Sequence, residues 1–330
     1  MNTSSHKLKV GIIGLGMVGG PLKRWFEEGG RVRGVDLFCF DTDPAKGYRD
    51  NVNKADYIFL TVPTPSRNDG SCDTSIVENC VQSIEDGRII VIKSTVVPGT
   101  TEILQAKYPR KRLLFNPEFL TEKRAWEDFI NPSRQLVGHT QVSKGDAVAI
   151  LNLLPRGNFT RPWETHNAYY NITSTEAELI KYLSNVFGYI KVVFGNMMAD
   201  ICHSINLAMT LDMGISLSVD YGNIKEVVGA DLRIGEAWLD VDHGAYCGAG
   251  GYCFPKDMNA FIVFLEKLKD EVLPKGIGLI TRLQLDNCIS ILKVIREYND
   301  DLIEHQGLTM KEVSRHIDEV TLKKIKKIRS

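Results

Sequence analysis

The stretch GAGGYCFPKD, residues 248–257, puts a thiol, Cys253, behind a run of glycines and two residues ahead of a proline. A cysteine on a loop is ordinarily inert, and free cysteine is among the most buried residue types. Its neighbours argue for chemistry instead. Pro255 suits the first position of a helix, so Cys253 would sit beside free backbone N–H groups at the helix's positive end. That setting favours the thiolate, the nucleophilic form, near neutral pH. Gly248, Gly250 and Gly251 leave room for a ligand or another backbone to come close. A second pair, Lys181 and Asn185, stands in the apolar stretch 171–209; four apart, they share one face of a helix, and Asn196 returns to nearly the same angle. A buried lysine is costly unless paired or put to use. The other reading is a lysine whose stem lies along the helix while its ammonium reaches solvent.

These residues need a scaffold, and the N-terminal half reads as one. KLKVGIIGLGMVGGPLKRWFEEGG is an apolar strand that ends in glycines and opens a helix, with Gly14, Gly16 and Gly19 in the spacing G-x-G-x-x-G. Such a turn lets a pyrophosphate approach the backbone at a helix N-terminus. VDLFCFDTD follows as a second strand with Asp41 at its end, placed to hold the adenosine ribose hydroxyls, which favours NAD over NADP; the plainer alternative is that Asp41 starts a turn before Pro44. DYIFLTVPTP, RIIVIKSTVVPGTTE, RLLFNPEF and RQLVGHT read as further strands covered on both faces. Their C-terminal ends carry Thr64, Thr95 and Glu118, at the sheet edge where ligands bind. A helix over 144–154 and a last strand near Trp163 complete the expected domain.

From residue 171 the pattern becomes one long helix, with Thr175 and Glu178 as a capping box at its start. It is apolar around most of its circumference, which predicts burial between helices or in the interface of a homodimer. The expected fold is therefore α/β: a Rossmann-like, doubly wound parallel sheet over 1–170, followed by an all-helical catalytic and dimerisation domain over 171–330.

Composition narrows the class. The 330 residues carry a formal net charge of −1, and the one basic run, LKKIKKIRS, is short, so no nucleic-acid partner is expected. The N-terminus lacks an apolar signal core and no apolar run would cross a bilayer, which predicts a cytoplasmic protein without a membrane partner. Seven unpaired-looking cysteines suit a reducing compartment. Cys247 and Cys253 have no ligand-like histidine pattern nearby, and His243 reads as a loop or core residue, so no metal site is expected.

Taken together, the fingerprint over residues 14–19, VPTP, KSTVVPGTT, NPEFLTEKRAWEDFINPSR, EAELIKYLSN and GGYCFPKD occur in the order of the UDP-glucose/GDP-mannose dehydrogenase family, which the chain resembles from its start to about Asn287. The resemblance implies oxidation of the C6 alcohol of a nucleotide sugar, UDP-glucose foremost, to a carboxylate with two NAD and one water. It implies that Cys253 captures the aldehyde as a thiohemiacetal, that Asp257 acts with a water as base, and that Lys181, helped by Asn185, stabilises the alkoxide. Glu118 and Glu122, four apart, would share a face and handle water and protons. Thr95 matches a position near the nicotinamide. Met17, Val18, Lys46, Thr64, Glu122 and Lys256 match cofactor contacts, as do the three fingerprint glycines and Asp41. Phe119, Leu120 and Gly250 match the substrate side, and Arg233 an arginine that reaches substrate across a dimer interface.

The departures from that family are specific. Between Asp41 and ADYIFL the family has a further helix and strand, whereas this chain has only TDPAKGYRDNVNK. Asn196 is followed by Met197 where the family has Asn-Glu. After the helix around LQLDNCISILKVIREYND the family continues into another α/β domain that covers the nucleotide; here LTMKEVSRHIDEVTLKKIKKIRS follows. Two other readings stay open. One is a single-step hydroxyacid dehydrogenase, which leaves Cys253 and the PEFLTE acids without a role; the other is a non-catalytic NAD-binding scaffold.

Overall fold

The computed structural model describes residues 8–157, 168–216, 218–242, 246–273, 279–314, 321, 323 and 324. Trp163, His243 and the end of the basic run lie outside them. The chain divides into two compact units, residues 1–67 with 72–182, and residues 68–71 with 183–330.

The first unit is built on a seven-stranded sheet in the order β2-β1-β3-β4-β5-β6-β7. Its strands are β1 (Val10–Ile13), β2 (Leu37–Phe40), β3 (Tyr57–Leu60), β4 (Ile89–Ile92), β5 (Arg112–Phe115), β6 (Gln135–His139) and β7 (Ala168–Thr173). Alternate residues feed opposite cores. Ile12, Leu37, Phe59, Val91 and Leu114 pack with Leu22 and Phe26 of α1 (Gly19–Glu28), Phe129 of α4 (Ala125–Ile130) and Ile150 of α5 (Ala147–Leu153). Ile58, Leu60, Ile90, Ile92 and Phe115 pack with Val77 and Val81 of α2 (Ser75–Ser83) and Leu104 of α3 (Thr100–Lys107). Burial on both faces is why these strands read as continuous apolar runs. Each fully buried Ile, Leu or Val contributes about 1.5–3 kcal/mol.

Strands β1 to β5 are parallel, as expected, but β6 runs antiparallel to β5 and β7 parallel to β6. The helix between β5 and β6, α4, has six residues and rises only about 9 Å. The chain re-enters from the edge it left, and β6 is reversed.

The connection from β2 to β3 is trimmed as expected: two 3-10 turns, Pro44–Lys46 and Val52–Lys54, stand in it. Between them the chain folds back along the outer edge of β2. Asp41 N–H donates to Tyr48 O and Asp50 N–H to Cys39 O, both at 3.0 Å, in an antiparallel bridge of Phe40 with Arg49.

Helix α6 (Ser174–Met213) begins in the first unit and continues into the second. Its cap is shifted from the expected frame. Thr173 and Glu176 form the reciprocal pair, with Thr173 N–H on Glu176 Oε2 at 2.6 Å and Glu176 N–H on Thr173 Oγ1 at 3.2 Å. Glu178 serves another helix: its carboxylate accepts from Gly99 N–H at 2.6 Å, Thr101 N–H at 2.8 Å and Thr101 Oγ1 at 2.6 Å, capping α3, whose own N-cap is a glycine.

The second unit is helical: the rest of α6, α7 (Tyr221–Gly229), α8 (Cys253–Lys267), α9 (Leu279–His305) and the short α10 (Met310–Val313). The Asn206 side chain accepts from Val219 N–H at 2.7 Å and donates to Val219 O at 3.0 Å, closing the turn between α6 and α7. Helices α8 and α9 are joined by Lys293–Glu266 at 2.6 Å and Arg296–Asn259 at 3.2 Å. Among the described residues no helix is long and apolar enough to cross a membrane, and none of the seven cysteines is in a disulfide.

Candidate active site

At the C-terminal edge of β1 the chain turns through Gly14, whose φ of +92° is left-handed; a Cβ there would lie 2.7 Å from Thr61 O. A Cβ on Gly19 would meet Gly14 O at 1.9 Å, so the start of α1 packs this closely only with glycine. Around Gly16 a Cβ would meet nothing within 4 Å, so its backbone faces open space at the helix N-terminus. Met17 is exposed and Val18 half-buried beside it. Asp41, at the end of β2, is held by Leu15 N–H at 2.6 Å, Asp43 N–H at 2.9 Å and Lys46 Nζ at 2.9 Å. Burial pushes its carboxyl up, but the Asp43 and Leu15 donors and the Lys46 ammonium outweigh it and hold the value below the ordinary 3.8. Asp41 is thus a fixed carboxylate tied to the glycine turn, the group a ribose diol requires.

The C-terminal ends of β3, β4 and β5 supply the next cluster. Thr64 Oγ1 donates to Thr95 O at 2.7 Å, joining two of the expected positions. Lys181 of α6 is 3% exposed, and its Nζ lies 2.8 Å from Oε1 of Glu118, itself 8% exposed. Burial thus decides between the two readings of Lys181: its ammonium is paired inside the fold. Burial pushes Glu118 up, yet the Lys181 charge and hydrogen bond, Leu120 N–H at 2.8 Å and the charge of Lys93 bring it below the ordinary value. The Phe119 ring packs beneath two cations, the Arg134 guanidinium at 3.9 Å and Lys181 Nζ at 5.6 Å from its centroid. A cavity of about 230 Å³ opens here, lined among others by Lys93, Glu118, Phe119, Leu120 and Arg134.

Sequence reasoning missed Lys93. Burial lowers its ammonium to about 8, Glu118 opposing and Lys181 adding to the shift, and it donates to Asn116 Oδ1 at 2.6 Å. The available signal was a lysine directly after the all-apolar run IIVI, which a buried strand end tolerates only with partners.

In the second unit Asp257 is 1% exposed, and its two carboxylate oxygens accept from Asn185 Nδ2 and Lys256 Nζ, both at 2.5 Å. Cys253 is the first residue of α8, one turn before Asp257, and is half-buried. Pro255 falls within the first turn of the helix, two residues later than the expected first position, where its missing N–H is equally harmless. The Phe254 ring packs against Gly188 of α6 and edge-on to Trp238 at 5.7 Å. Asn196 is buried but turns its amide to Val192 O, on its own helix.

One expected grouping does not form. Glu118 and Glu122 share no helical face: residues 118–121 are irregular, and Glu122 is exposed on a 3-10 turn, Glu122–Arg124, while Glu118 is buried. The spacing of four had presumed a helix. Arg233 stands on the surface, its guanidinium on Asp231 at 2.5 Å.

Residues 38–152 match the NAD binding domain of the UDP-glucose/GDP-mannose dehydrogenase family, and residues 175–273 match its central domain, together well over half of the chain. The chain belongs to the UDP-glucose/GDP-mannose dehydrogenase family. Its first unit carries the family's NAD-binding domain, and the Gly16 backbone, Asp41 and Lys46 are groups that would suit that cofactor. A UDP-glucose 6-dehydrogenase of Rickettsia conorii is 36% identical over 64% of this chain and 45% of that protein. One of Haloferax volcanii is 32% identical over 71% of this chain and 54% of its own length. The chain spans about half the length of the curated relatives it matches. Among solved structures, a UDP-glucose dehydrogenase from Pyrobaculum islandicum superposes with a TM-score of 0.69 at 26% identity, covering 93% of this chain and 71% of that one.

Proposed function

We propose that the chain is an NAD-dependent nucleotide-sugar 6-dehydrogenase that oxidises the C6 alcohol, of UDP-glucose in the first instance, to a carboxylate in two steps through Cys253. The observation that carries this is the helix α6, which bears the buried ammonium of Lys181 and, one turn on, the Asn185 amide that holds Asp257, the acid one turn from the thiol.

Bound NAD supplies the hydride acceptor for both oxidations. The chain's own residues do the rest. Lys181 stabilises the oxyanion as the C6 hydroxyl loses its proton, and Glu118 keeps that lysine in place; a fixed charge acts strongly where water is excluded. Asp257, through a water, takes the proton. With the first hydride gone to the acceptor, C6 is an aldehyde, and the Cys253 thiolate adds to its carbon, forming a C–S bond and an alkoxide that Lys181 again stabilises. Loss of the second hydride leaves a thioester, and water, deprotonated by a carboxylate of the site, displaces the thiolate to give the carboxylate. Thr95 and Thr64 would border the nicotinamide, and Lys256 and Glu122 the rest of the cofactor. Phe119, Leu120 and Gly250 would border the sugar.

A homodimer through α6 is part of the proposal. Leu183, Phe187, Phe194, Ile201 and Ile205 are exposed, and their spacings keep them within a narrow stripe of one helix. Arg233 would then serve the site of the second copy. A cytoplasmic location is part of the same proposal.

The test is the NADH formed per sugar from limiting UDP-glucose and excess NAD. Two NADH per sugar, lost in Cys253→Ala, is the expected result. One per sugar would make it a single-step dehydrogenase. None from a panel of nucleotide sugars, with NAD binding intact, would overturn the enzymatic reading.

A further inference from the structure

Three alternate residues of the loop that leads to Cys253 are bonded outward to the C-terminal part of the chain, beyond the range 175–273 that the family's central domain matches. Cys247 N–H donates to Gln306 Oε1 at 2.8 Å, and Gln306 Nε2 donates back to Cys247 O at 2.9 Å. Ala249 N–H donates to Asn299 Oδ1 at 2.6 Å, and Asn299 Nδ2 donates back to Ala249 O at 3.0 Å. Gly251 N–H donates to Val313 O at 2.8 Å. Two side-chain amides and one peptide carbonyl therefore serve as a strand would: each amide takes both polar groups of one residue, at a spacing of two.

The rest of the loop is shaped to this arrangement. Gly248 has a φ of +103°, and a Cβ there would lie 3.0 Å from Asn299 Oδ1 and 3.1 Å from Ile303. Tyr246 is buried with Ile303, Leu308 and Val313, so its ring anchors the start of the loop in the same place. A Cβ on Gly250 would overlap its hydroxyl at 2.0 Å. Asn299 itself is fully buried, and the same helix is tied to α8 through Lys293–Glu266 and Arg296–Asn259. The path closes on itself: α8 opens with Cys253, α8 is pinned to α9, and α9 holds the loop that enters α8.

This matters because α8 starts without a cap of its own. Its N-cap residue, Tyr252, makes no side-chain hydrogen bond to the first turn. An uncapped first turn frays readily, and the thiol sits on that turn. The incoming loop, fixed two residues earlier at Gly251, constrains where Cys253 stands from the N-terminal side, as Phe254 and Asp257 do from the helix side.

We infer that Asn299 and Gln306 are positioning residues for the Cys253 thiol, acting through the peptide groups of Ala249 and Cys247. The inference rests on the reading of Cys253 as the nucleophile of the dehydrogenase. It assigns a catalytic consequence to a segment that touches no reacting atom. It also accounts for the spacing of the glycine run: Gly248 and Gly250 admit Asn299 and Tyr246, and Gly251 makes the left-handed turn, φ +76°, into the helix.

The experiment compares the 330-residue parent chain with Asn299→Ala, Asn299→Asp and Gln306→Ala. Steady-state kcat and KM are measured, and the rate of iodoacetamide labelling at Cys253 is followed against pH by peptide mass spectrometry, which separates it from the six other cysteines among the seven. Misplacing a reacting group by about 1 Å costs on the order of a hundredfold, so Asn299→Ala should lower kcat about 10- to 100-fold with KM changed less than about threefold. The midpoint of the labelling curve should rise by about half a pH unit as the thiolate loses its fixed place at the helix N-terminus. Asn299→Asp keeps the acceptor for Ala249 N–H and should fall between Asn299→Ala and the parent. Gln306 is only partly buried, so Gln306→Ala gives a folded variant if Asn299→Ala does not, with a smaller effect of the same kind. Variants that are folded at the assay temperature, with a lowered melting point but the parent's kcat and labelling curve, would overturn the inference and leave the amides a purely stabilising role. If the parent oxidises no nucleotide sugar, the proposed function fails, while the labelling curve still decides whether the amides govern the thiol.

Discussion

Replacing Lys181 with methionine should destabilise the first unit by about 3 kcal/mol at pH 7.5, and the reason lies in what it leaves behind. Lys181 and Glu118 have their charged atoms 2.8 Å apart, both almost out of reach of water. Breaking a buried pair from one side costs roughly 3–5 kcal/mol, because the remaining charge is uncompensated. Glu118 would keep Leu120 N–H and the charge of Lys93, which places the loss at the lower end of that range. Glu118→Gln should cost a similar amount by stranding the ammonium. The double variant Glu118→Gln/Lys181→Met removes both charges and should cost only about 1 kcal/mol, so the single effects overpredict it by about 5 kcal/mol. The pH dependence has a definite sign. In the parent, burial raises the Glu118 carboxyl but its partners depress it overall, so its contribution is present above the unfolded value of 4.5 and lost as pH falls through the depressed folded value. In Lys181→Met burial acts with less opposition, the carboxyl value rises, and the deficit relative to the parent should shrink from pH 7.5 to pH 5. Urea unfolding followed by tryptophan fluorescence and far-UV circular dichroism measures each term. Single effects that add to within about 0.5 kcal/mol, at unchanged denaturant slope, would refute the argument that the two groups form one buried electrostatic unit.

Glu178 should give the opposite pH behaviour: burial pushes its carboxyl up to about 7, against the Thr101 and Gly99 donors. A raised acid stabilises below its unfolded value and loses that contribution as pH rises through its folded value, so between pH 4.5 and 7.5 the parent should lose up to about 3 kcal/mol relative to Glu178→Gln. Parallel stability curves for the two would count against it. Gly250→Ala must move the buried Tyr246 ring and should cost about 1–3 kcal/mol, read as a lower urea midpoint; an unchanged midpoint would show that the loop yields freely. Asp41→Ala removes a charged acceptor worth about 1.5–3 kcal/mol, so NAD affinity by calorimetry should fall roughly 10- to 100-fold. Undiminished affinity would mean that Asp41 only shapes the turn.

The sheet was legible where the code is local. Buried strands with glycine turns identify themselves, and the missing helix and strand after Asp41 were evident from the thirteen residues TDPAKGYRDNVNK. The helix start was ambiguous because two Thr-x-x-Glu frames overlap there, at Thr173 and Thr175; the first is used because Glu178 is engaged by α3, 77 residues away in sequence from Thr101. The direction of β6 was not legible, because an apolar run marks a buried strand and not which way it runs. Lys181 and Glu118 were both singled out, but their union was not, since 63 residues separate them. The amides on the cysteine loop were invisible for the same reason: the bonds of Asn299 and Gln306 span 50 and 59 residues.

The fold-back of residues 48–50 along β2 has a consequence for how copies of this molecule behave at high concentration. With β2 outermost, its unpaired peptide groups would be a template on which a strand from another molecule could add. Asp50 N–H takes up Cys39 O, the Asp50 carboxylate takes Cys39 N–H at 2.9 Å, and Tyr48 O takes Asp41 N–H just past the strand. Arg33 and Asp50 pair at 2.9 Å across the outside, setting charge where an incoming strand would need an apolar face. The short segment thus works as a selvedge, finishing the margin of the sheet so that it does not grow.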